Sequence, residues 1–409
     1  MQSKKLFVLW AMSLISAFSF AQPVNLQCEH LINPIGIDAS APRLQWQMHD
    51  SREGALQTAY QLFVGTDSLE VSSGRGNVWE TGKISGSEML VSYAGKSLQP
   101  FTKYYWTVVL WDKDQQKLAP AAVASFETGM MQMSNWKGEW IADSKDINLK
   151  PAPYFRKQFQ PSGKVKSARI YIAAAGLYEL SINGQRVGDH RLDPMYTRFD
   201  RRTLYVTYDV TSLINAPTVA LGVLLGNGWY NHQSTAVWYF DQAPWRDRPK
   251  FCLDLRITYQ DGREEIIKSG TDWKTSLSPI IFNSIYTAEH HDARLSQPGW
   301  DKPGFDDSKW KNSIPVNAPS QNIVAQQLHP IRFVEEIAPT GTLMYSSQHY
   351  VYNLGRNISG ISQISVRGEK GTEIRLKHGE RLKQNGSVDQ SNIDVHYRPT
   401  DDKDPFQTD

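Results

Sequence analysis

Two neighbouring segments in the middle of the chain constrain the fold most strongly. Apolar and polar residues alternate over positions 178–182, which predicts a strand with one buried and one solvated face. Asn183-Gly184 follows, the dipeptide that best supplies the two positive φ angles of a type I′ hairpin turn. Residues 219–225 place Val and Leu on one face and keep the other face small. Strands of this kind need a second sheet to cover them, so the sequence predicts a β-sandwich.

Similar patterns before and after this stretch predict further sandwiches. Residues 24–129 contain strand-like runs at 44–46, 60–64 and 104–110, and Tyr104 has the spacing of the tyrosine corner of fibronectin type III domains. A second module is expected over 136–314, with a hairpin over 251–275 that turns at Asp261-Gly262. These patterns therefore predict two complete sandwiches in tandem.

A third module is expected from residue 324 onward, after a linker over 315–323. Strands are predicted at 364–366 and 374–378, on either side of a turn at 368–371. Through residue 409 this module has too few strands for a sandwich, and the sequence predicts that the chain is cut short there. No apolar run with a 3.6-residue period follows residue 21, so the fold class is all-β, built of tandem β-sandwiches.

The composition limits the compartment and the partners. The chain has 44 basic and 42 acidic residues without a basic block, which argues against nucleic acid and anionic membranes. Residues 1–21 have the two lysines, the apolar run and the small residues at the cleavage site that are typical of a signal peptide. We therefore expect a periplasmic, secreted or cell-surface protein with no membrane span after cleavage. Cys28 and Cys252 lie in different modules, which excludes a disulfide framework.

No residue is assigned a catalytic role from the sequence. Inverting glycoside hydrolysis needs two enclosed carboxyl groups, and the carboxylates worth testing are Glu179, Asp209, Glu289, Asp292 and Glu380. Solvent exposure, turn capping or an ion pair with a neighbouring arginine explains them more simply. The run Glu289-His-His-Asp292 does not predict a metal site, because adjacent strand residues point to opposite faces.

Aromatic residues are concentrated after the 219–225 strand. The run comprises Trp229, Tyr230, Trp238, Tyr239, Phe240 and Trp245, interleaved with Asn227, Asn231, Asp241 and Asp247. Flat rings cover the C–H face of a sugar while amides and carboxylates take its hydroxyls, which favours a carbohydrate site. The alternative is that the rings close the edge of the sandwich or pack on a neighbouring module.

Five motifs together resemble the bacterial α-L-rhamnosidases of glycoside hydrolase family 78. They are Gly176-Leu-Tyr-Glu-Leu-x-Ile-Asn-Gly-x-x-Val-Gly188, Leu221-Gly-Val-Leu-Leu-Gly-Asn-Gly-Trp-Tyr230, Asp292-Ala-Arg294 with Pro298-Gly-Trp300, Asn353-Leu-Gly-x-Asn-x-x-Gly360 and His378-Gly-Glu-Arg-Leu382. The resemblance implies a fibronectin type III-like module, a jelly-roll module and the start of a concanavalin-like sandwich. In the family a barrel of paired helices follows and carries the catalytic carboxylates, which have no counterpart here.

The resemblance also implies a ligand. Some jelly-roll modules of the family bind L-rhamnose with the help of calcium, and the matching positions are Asn183, Asn227 and Tyr196, the last where relatives often have Trp. Ile182 stands where such a site has an acidic residue, and calcium prefers carboxylate oxygens. With the aromatic run, the expected carbohydrate-binding residues are Asn183, Tyr196, Asn227, Trp229, Tyr230 and Trp238.

Three functions are consistent with the sequence. The first is the non-catalytic N-terminal part of a secreted α-L-rhamnosidase, whose partners would be a rhamnose-containing glycan and the helical catalytic domain. The second is a free-standing carbohydrate-binding or adhesion protein. The third is a structural spacer that binds no ligand.

Overall fold

A computed structural model describes residues 21–234, 238–287, 289–346, 348–394 and 409. Apart from Ala21, the predicted signal peptide lies outside these residues. The chain forms two compact units: the first contains residues up to 34, 40–98 and 103–127, and the second contains 35–39, 99–102 and 128–409. Within the described ranges, none of the helices has the length and apolar character needed to cross a bilayer.

Nearly all regular structure in the described residues is β, as predicted. The strands up to residue 142 are β1 Gln22–Cys28, β2 Ile35–Ile37, β3 Arg43–His49, β4 Ala59–Gly65, β5 Trp79–Glu80, β6 Ile84–Ser85, β7 Leu90–Ser92, β8 Lys103–Trp111, β9 Ala124–Thr128 and β10 Ile141–Ala142. The next group is β11 Pro153–Phe159, β12 Val165–Ala175, β13 Leu177–Ile182, β14 Gln185–Arg186, β15 Thr203–Asp209, β16 Val219–Gly226, β17 Lys250–Tyr259, β18 Glu264–Lys268 and β19 Lys274–Leu277.

The remaining strands are β20 Ile280–Asn283, β21 Glu289–His291, β22 Lys311–Asn312, β23 Ile314–Pro315, β24 Ile323–Ala325, β25 Gly341–Ser346, β26 His349–Asn353, β27 Arg381–Leu382 and β28 Val388–Asp389. The helices are short: α1 Ser68–Ser72, α2 Ser391–Asp394, and the single 3₁₀ turns Met133–Asn135, Thr211–Leu213, Phe240–Gln242 and Ala293–Leu295.

The first unit is a small sandwich, which confirms the strands predicted in this part of the chain. One sheet has the order β1-β3-β7, and in the other β4 pairs with β8 and β8 pairs with β9. Trp46 and Trp106 are fully buried, and Trp46 Nε1 donates to Gln57 Oε1 at 2.9 Å. Tyr104 is also buried, and its ring stacks on Phe126 with centroids 5.2 Å apart, so this tyrosine has a structural role.

The second unit is built around the predicted sandwich of two large sheets. One sheet has the order β23-β10-β17-β12-β15-β24, with β18 also paired to β17. The other has the order β14-β13-β16-β11-β19-β22. Their facing apolar side chains, among them Ile172, Leu180, Val223 and Leu253, are buried in one core. The expected linker over 315–323 leads into β24, which pairs in parallel with β15 and completes this sheet.

The structure confirms both hairpin turns that the dipeptides predict. Asn183 and Gly184 have φ angles of 53° and 81°, and Ile182 pairs with Gln185, so the loop has two residues as a type I′ turn requires. The 251–275 segment turns at Gly262, with φ of 86°, between β17 and β18. Its last strand, β19, pairs instead with β11 of the opposite sheet.

The small face of β16 is covered by a segment that contains the Pro-Gly-Trp motif. A Cβ added to Gly222 would lie 2.9 Å from the Trp300 ring and 2.7 Å from Asp301 Cβ, so only glycine permits this approach. The Trp300 ring stacks on Tyr154 of β11 at 3.9 Å. Arg156, which is 2% exposed, donates to the carbonyl oxygens of Trp300 and Lys302 and pairs with Asp307. The turn-rich sequence over 299–310 is therefore a cover fixed to the sheet.

The strands predicted at 364–366 and 374–378 are wrong, although the turn between them is present, with a hydrogen bond from Thr372 N to Glu369 O. The regular structure of the described residues after 340 consists mainly of the hairpins β25–β26 and β27–β28. Ile364, Val366 and Ile374 are 44–55% exposed. An alternating pattern forms a strand only where backbone partners and a covering surface are available, and the described part of the chain leaves Ile364, Val366 and Ile374 uncovered.

Candidate functional site

The residues after β16 are held by an asparagine pair. Asn227 N donates to Asn283 Oδ1 at 2.7 Å, and Asn227 Nδ2 donates to the Asn283 carbonyl at 2.9 Å. The carbonyl of Asn227 accepts hydrogen bonds from the backbone N–H groups of Tyr230 and Asn231. Asn227 is 2% exposed, so its amide fixes the turn that presents Trp229.

Rings from four segments meet beyond this turn and form what we call the aromatic surface. Its members are Tyr196, Phe199, Trp229, Tyr230, Trp238, Phe240, Trp245 and Tyr286. Trp229 is central: its ring centroid lies 5.5 Å from Tyr196, 5.1 Å from Phe240 and 5.3 Å from Tyr286. Tyr286 in turn stacks on Trp238 at 5.3 Å with an angle of 18° between the planes. The rings thus form a continuous row from Tyr196 to Trp238.

Only part of the aromatic surface is open to solvent. Tyr196 is 46% exposed and Trp238 is 51% exposed, Trp229 is half-buried, and Tyr230 is 2% exposed. Burial raises the pKa of the Tyr230 hydroxyl above its usual range, with a smaller contribution from the charge of Asp247. Tyr230 therefore closes the edge of the sandwich, as the alternative interpretation of the aromatic run expects, while Tyr196 and Trp238 are accessible and the carbohydrate site stays a prediction.

The structure does not bring Asn183 to the other five predicted residues. Ile182 pairs with Leu221 and Leu177 with Gly226, so Asn183 and Asn227 lie at opposite ends of the β13–β16 pair, about 20 Å apart along the strands. Asn183 Oδ1 accepts from Ala220 N at 2.8 Å, and Asn183 N donates to the Ala220 carbonyl at 2.9 Å. The backbone N–H and the side-chain oxygen of Asn183 therefore continue the hydrogen-bond ladder between β13 and β16.

Hydrogen bonds from the Trp245 indole and the Arg246 guanidinium hold the aromatic surface in place. Trp245 Nε1 donates to the Trp229 carbonyl at 3.2 Å, and Arg246 Nε donates to Asn231 Oδ1 at 3.0 Å. Arg246 Nη1 also donates to the Asp241 carbonyl at 3.3 Å, which ties the 3₁₀ turn over 240–242 to the surface. Partial burial lowers the pKa of Arg246 below its usual value. These hydrogen bonds therefore fix Trp229, Asn231 and the 3₁₀ turn relative to one another.

Sequence reasoning missed Tyr286, Phe199 and Arg246 as members or supports of this surface. Tyr286 is distant in sequence from the aromatic run and follows β20, which brings it to Trp229 and Trp238. Phe199 is only three residues from Tyr196, and that proximity was a signal that could have identified it. The local sequence around Tyr286 contains no comparable signal.

The residues at the positions that match the family's calcium-assisted site do not fit a calcium ion. The side-chain oxygen of Asn183 already accepts a backbone hydrogen bond, and the preceding Ile182 is a buried apolar residue. Calcium is usually held by six to eight oxygen ligands, several of them carboxylates. In the described ranges of the chain, no group of three or more His, Cys, Asp or Glu side chains is arranged to hold a metal ion.

Three of the candidate carboxylates form ion pairs: Glu179 with Arg186 at 2.8 Å, Asp209 with Arg169 at 2.9 Å and Asp292 with Arg294 at 2.6 Å. Asp209 also caps a turn by accepting from Thr211 N, as predicted. Hydrogen bonds from Arg294 lower the pKa of Asp292 to about 2. A carboxyl that stays ionised at neutral pH cannot act as the general acid of glycoside hydrolysis.

The other two candidates differ from these. Glu289 is an exposed residue of the short strand β21, as predicted for a polar strand; partial loss of hydration beside neighbouring protein atoms, and then the charges of Asp409 and Glu179, raise its pKa. Glu380 is exposed. Its neighbour Arg381 lies 3.9 Å from the Asp389 carboxylate, and it does not form the ion pair with Glu380 that the sequence predicts. Neither Glu289 nor Glu380 has a position that indicates a catalytic role.

Comparison with known families matches three consecutive parts of the chain. Residues 23–132 match a Rha78A-like N-terminal immunoglobulin domain, residues 163–335 match the α-L-rhamnosidase N-terminal domain, and residues 344–404 match the bacterial α-L-rhamnosidase concanavalin-like domain. The order agrees with the tandem sandwiches that the sequence predicts.

Individual relatives agree with the family models. An α-L-rhamnosidase of Formosa agariphila is 31% identical over 381 residues, which are 87% of this chain and 40% of that protein. The solved α-L-rhamnosidase of Dictyoglumus thermophilum is 38% identical with a TM-score of 0.82 over 90% of this chain and 42% of its own. That of Aspergillus terreus is 30% identical with a TM-score of 0.80 over 90% and 42%. The chain spans about 40% of the length of these relatives. It belongs to the bacterial α-L-rhamnosidase family and matches the β-rich N-terminal part of its members.

Proposed function

We propose that this chain supplies the glycan-binding β modules of an α-L-rhamnosidase that removes terminal α-L-rhamnose with inversion. In this proposal the chemistry belongs to the helical catalytic domain expected from the family, and the chain described here binds a rhamnose-containing glycan without cleaving it. The ion pair of Asp292 with Arg294 supports this assignment, because hydrogen bonds from the guanidinium hold the pKa of Asp292 at about 2 and keep that carboxylate ionised at neutral pH.

The observation that carries the binding proposal is the accessibility of the aromatic surface. Two rings of this row have about half of their area exposed, so a ligand can reach them without any rearrangement of the fold. Tyr196 and Trp238 are accessible, and Trp229 lies between them. The flat face of such a ring covers the apolar C–H face of a pyranose while nearby polar groups bind its hydroxyls. A deoxy sugar such as rhamnose adds a methyl group to the apolar area that is covered.

We also propose that the protein is exported. The basic residues, apolar run and small residues of positions 1–21 support a cleaved signal peptide. Export would place the aromatic surface in the periplasm, outside the cell or on its surface, where plant and bacterial glycans are found. Sequencing the N-terminus of the mature protein tests this, and a protein that retains residue 1 would contradict it.

Titration calorimetry with methyl α-L-rhamnoside tests the binding proposal. We expect the chain to bind this sugar and to lose most of its affinity on Tyr196→Ala, because Tyr196 is an accessible ring beside Trp229. Tyr352→Ala is the matched control, since Tyr352 is 57% exposed but lies outside the aromatic surface. Unchanged affinity on Tyr196→Ala, or no binding by the native chain, would refute the proposal.

An activity assay tests independently whether this chain binds the glycan without cleaving it. Incubation with a chromogenic α-L-rhamnoside should release no more chromophore with this chain than with buffer, while a full-length relative hydrolyses it. Turnover by the purified chain would show that the modules described here contain a catalytic pair.

A further inference from the structure

A cavity of about 330 Å³, which we call the Lys250 cavity, lies in the second unit where β10, β17 and β23 run side by side. Its wall is formed by residues that follow β10, residues that lead into β17 and the segment 315–317. Pockets for small molecules have volumes of about 300–1,000 Å³. The Lys250 cavity is at the lower end of that range, which suits a ligand the size of one sugar ring.

Lys250 places a buried ammonium group in this wall. The residue is 4% exposed, and its Nζ donates to Asp247 Oδ2 at 2.6 Å and, at the longer distance of 3.4 Å, to the Asn317 carbonyl. The ring of Tyr230 lies 5.8 Å from Nζ and adds a cation–π contact. An ammonium group has three donors, so within the described residues one donor of this buried group is not used. A buried donor without an acceptor is unfavourable, and a ligand oxygen in the cavity would satisfy it.

Three other residues of the wall have donors that no hydrogen bond within the described ranges uses. They are Lys145, through its ammonium group, Asn317, through its side-chain amide, and Ser144, through its hydroxyl proton. The Ser144 oxygen, by contrast, accepts from Asp146 N at 3.0 Å. The wall therefore offers hydrogen-bond donors from several sides and fits a ligand that is rich in acceptors.

The charges of the wall leave one positive charge in excess. Asp143 neutralises Arg248 by accepting from its Nε at 2.8 Å and from its Nη2 at 2.9 Å. Asp247 pairs with Lys250. Lys145 is exposed and forms no ion pair in the part of the chain that the structure describes, so a ligand with one negative charge balances the wall. A carboxylate carries that charge, and its two oxygens accept several hydrogen bonds.

From these observations we infer that the Lys250 cavity binds the carboxylate of an acidic sugar. The ammonium groups of Lys145 and Lys250 bind the carboxylate oxygens, and Ser144 and Asn317 donate to the remaining oxygens of the ligand. The choice of a sugar over another carboxylate rests on the proposed function, in which the chain binds a glycan. The ligand class is a uronic acid residue, and no residue of the cavity wall belongs to the aromatic surface.

Calorimetric titration with matched acidic and neutral sugars tests this inference. The probes are the methyl glycosides of glucuronic and galacturonic acid. Methyl glucoside and methyl galactoside are the controls, because they have a neutral CH₂OH group in place of the carboxylate. We expect at least one uronide to bind at least tenfold more tightly than its neutral counterpart, which is about 1.4 kcal/mol and the size of one hydrogen bond to a charged group. Sodium acetate and sodium sulfate show whether a small anion binds equally well.

Variants of two lysines locate the site. Lys145→Glu reverses an exposed charge and should remove the preference for the uronide, and Lys250→Met should weaken uronide binding at least tenfold. Lys164→Glu is the matched control, because it changes the net charge equally at an exposed residue next to Val165, which pairs with Tyr259 about 30 Å along β17 from Lys250. All three variants should bind methyl α-L-rhamnoside as the native chain does. Circular dichroism and the melting temperature verify that each variant is folded.

Three results would overturn the inference while leaving the proposed function in place. They are equal affinity for each uronide and its neutral counterpart, a uronide affinity as high in Lys145→Glu as in Lys164→Glu, and binding of acetate or sulfate as tight as that of the uronides, which would indicate a site for small anions only. A chain that binds a uronide but not methyl α-L-rhamnoside would instead refute the proposed binding of rhamnose and leave the Lys250 cavity as a binding site.

Discussion

Replacing Arg156 by methionine should destabilise the second unit. The Arg156 guanidinium is buried, and it joins β11 to the cover over 299–310. Its Nε donates to the Trp300 carbonyl at 2.8 Å, Nη2 donates to the Lys302 carbonyl at 3.1 Å, and Nη1 pairs with Asp307. Methionine retains much of the aliphatic stem but none of the donors, so all three acceptors lose this partner.

The expected loss of unfolding free energy follows from these contacts. Removing one partner of a buried ion pair costs about 3–5 kcal/mol, because the other charge is left uncompensated. Asp307 is 29% exposed and is partly rehydrated, so we expect the lower end, about 3 kcal/mol. For a domain of this size, 3 kcal/mol lowers the melting temperature by roughly 6–12 °C.

Urea unfolding monitored by far-UV circular dichroism measures this loss, and Lys157→Met provides the control. Lys157 is the next residue of the same strand and pairs with Asp272, whose side chain is 65% exposed, at 2.6 Å. Because that pair is near the surface, its loss should cost about 1 kcal/mol or less. Hydrogen exchange gives a local measurement, since Gly184 N donates to the Asp301 carbonyl of the cover and should exchange faster in Arg156→Met.

A double-mutant cycle tests the reasoning most directly. If Arg156 acts through Asp307, the costs of Arg156→Met and Asp307→Asn should be less than additive in the double variant. Additive costs, or a loss in Arg156→Met no larger than in Lys157→Met, would refute the idea that this arginine fixes the cover.

Three further predictions concern individual residues and ions. NMR titration of Asp292 should give a pKa of about 2, and in Arg294→Ala this pKa should rise toward its usual value of 3.8. The contribution of Asp292 to the free energy of unfolding is present above pH 3.8 and is lost as the pH falls through about 2. Asn183→Ala should lower stability by about 1–2 kcal/mol by unpairing Ala220 N, with rhamnoside affinity unchanged; a loss of affinity would place Asn183 in the site. Calcium and chelators should leave the melting temperature and rhamnoside affinity unaltered, and a shift with calcium would reveal a site that the structure does not indicate.

Local sequence patterns were sufficient to predict the structure where neighbouring residues determine the backbone conformation. The period-two alternation at 178–182 and the Asn183-Gly184 turn are both present as predicted. The same alternation failed at 364–366 and 374–378, where the residues are exposed. Alternation states which face a strand would bury, but it does not state whether another sheet is present to cover that face.

In the candidate site, too, some features followed from the local sequence and others only from the tertiary structure. The sequence identified the aromatic run and predicted Tyr196, Trp229 and Trp238 as binding residues; the structure brings these three rings into one row, and their role in binding stays a prediction. The resemblance to the family also grouped Asn183 and Asn227, because both match positions of its rhamnose-binding jelly-roll modules. Antiparallel register puts these two residues at opposite ends of the β13–β16 pair, and register is a property of the paired sheet.

By itself the sequence determined the β class, the turns and the family, because these depend on periodicity, backbone preferences and motifs of adjacent residues. Only the tertiary structure decided which aromatic rings are accessible, that Tyr286 supports Trp238, and that Arg156 fixes the cover over Gly222. The physical reason is that burial and contact are set by residues distant in the chain, and no local pattern encodes the position at which two such segments meet.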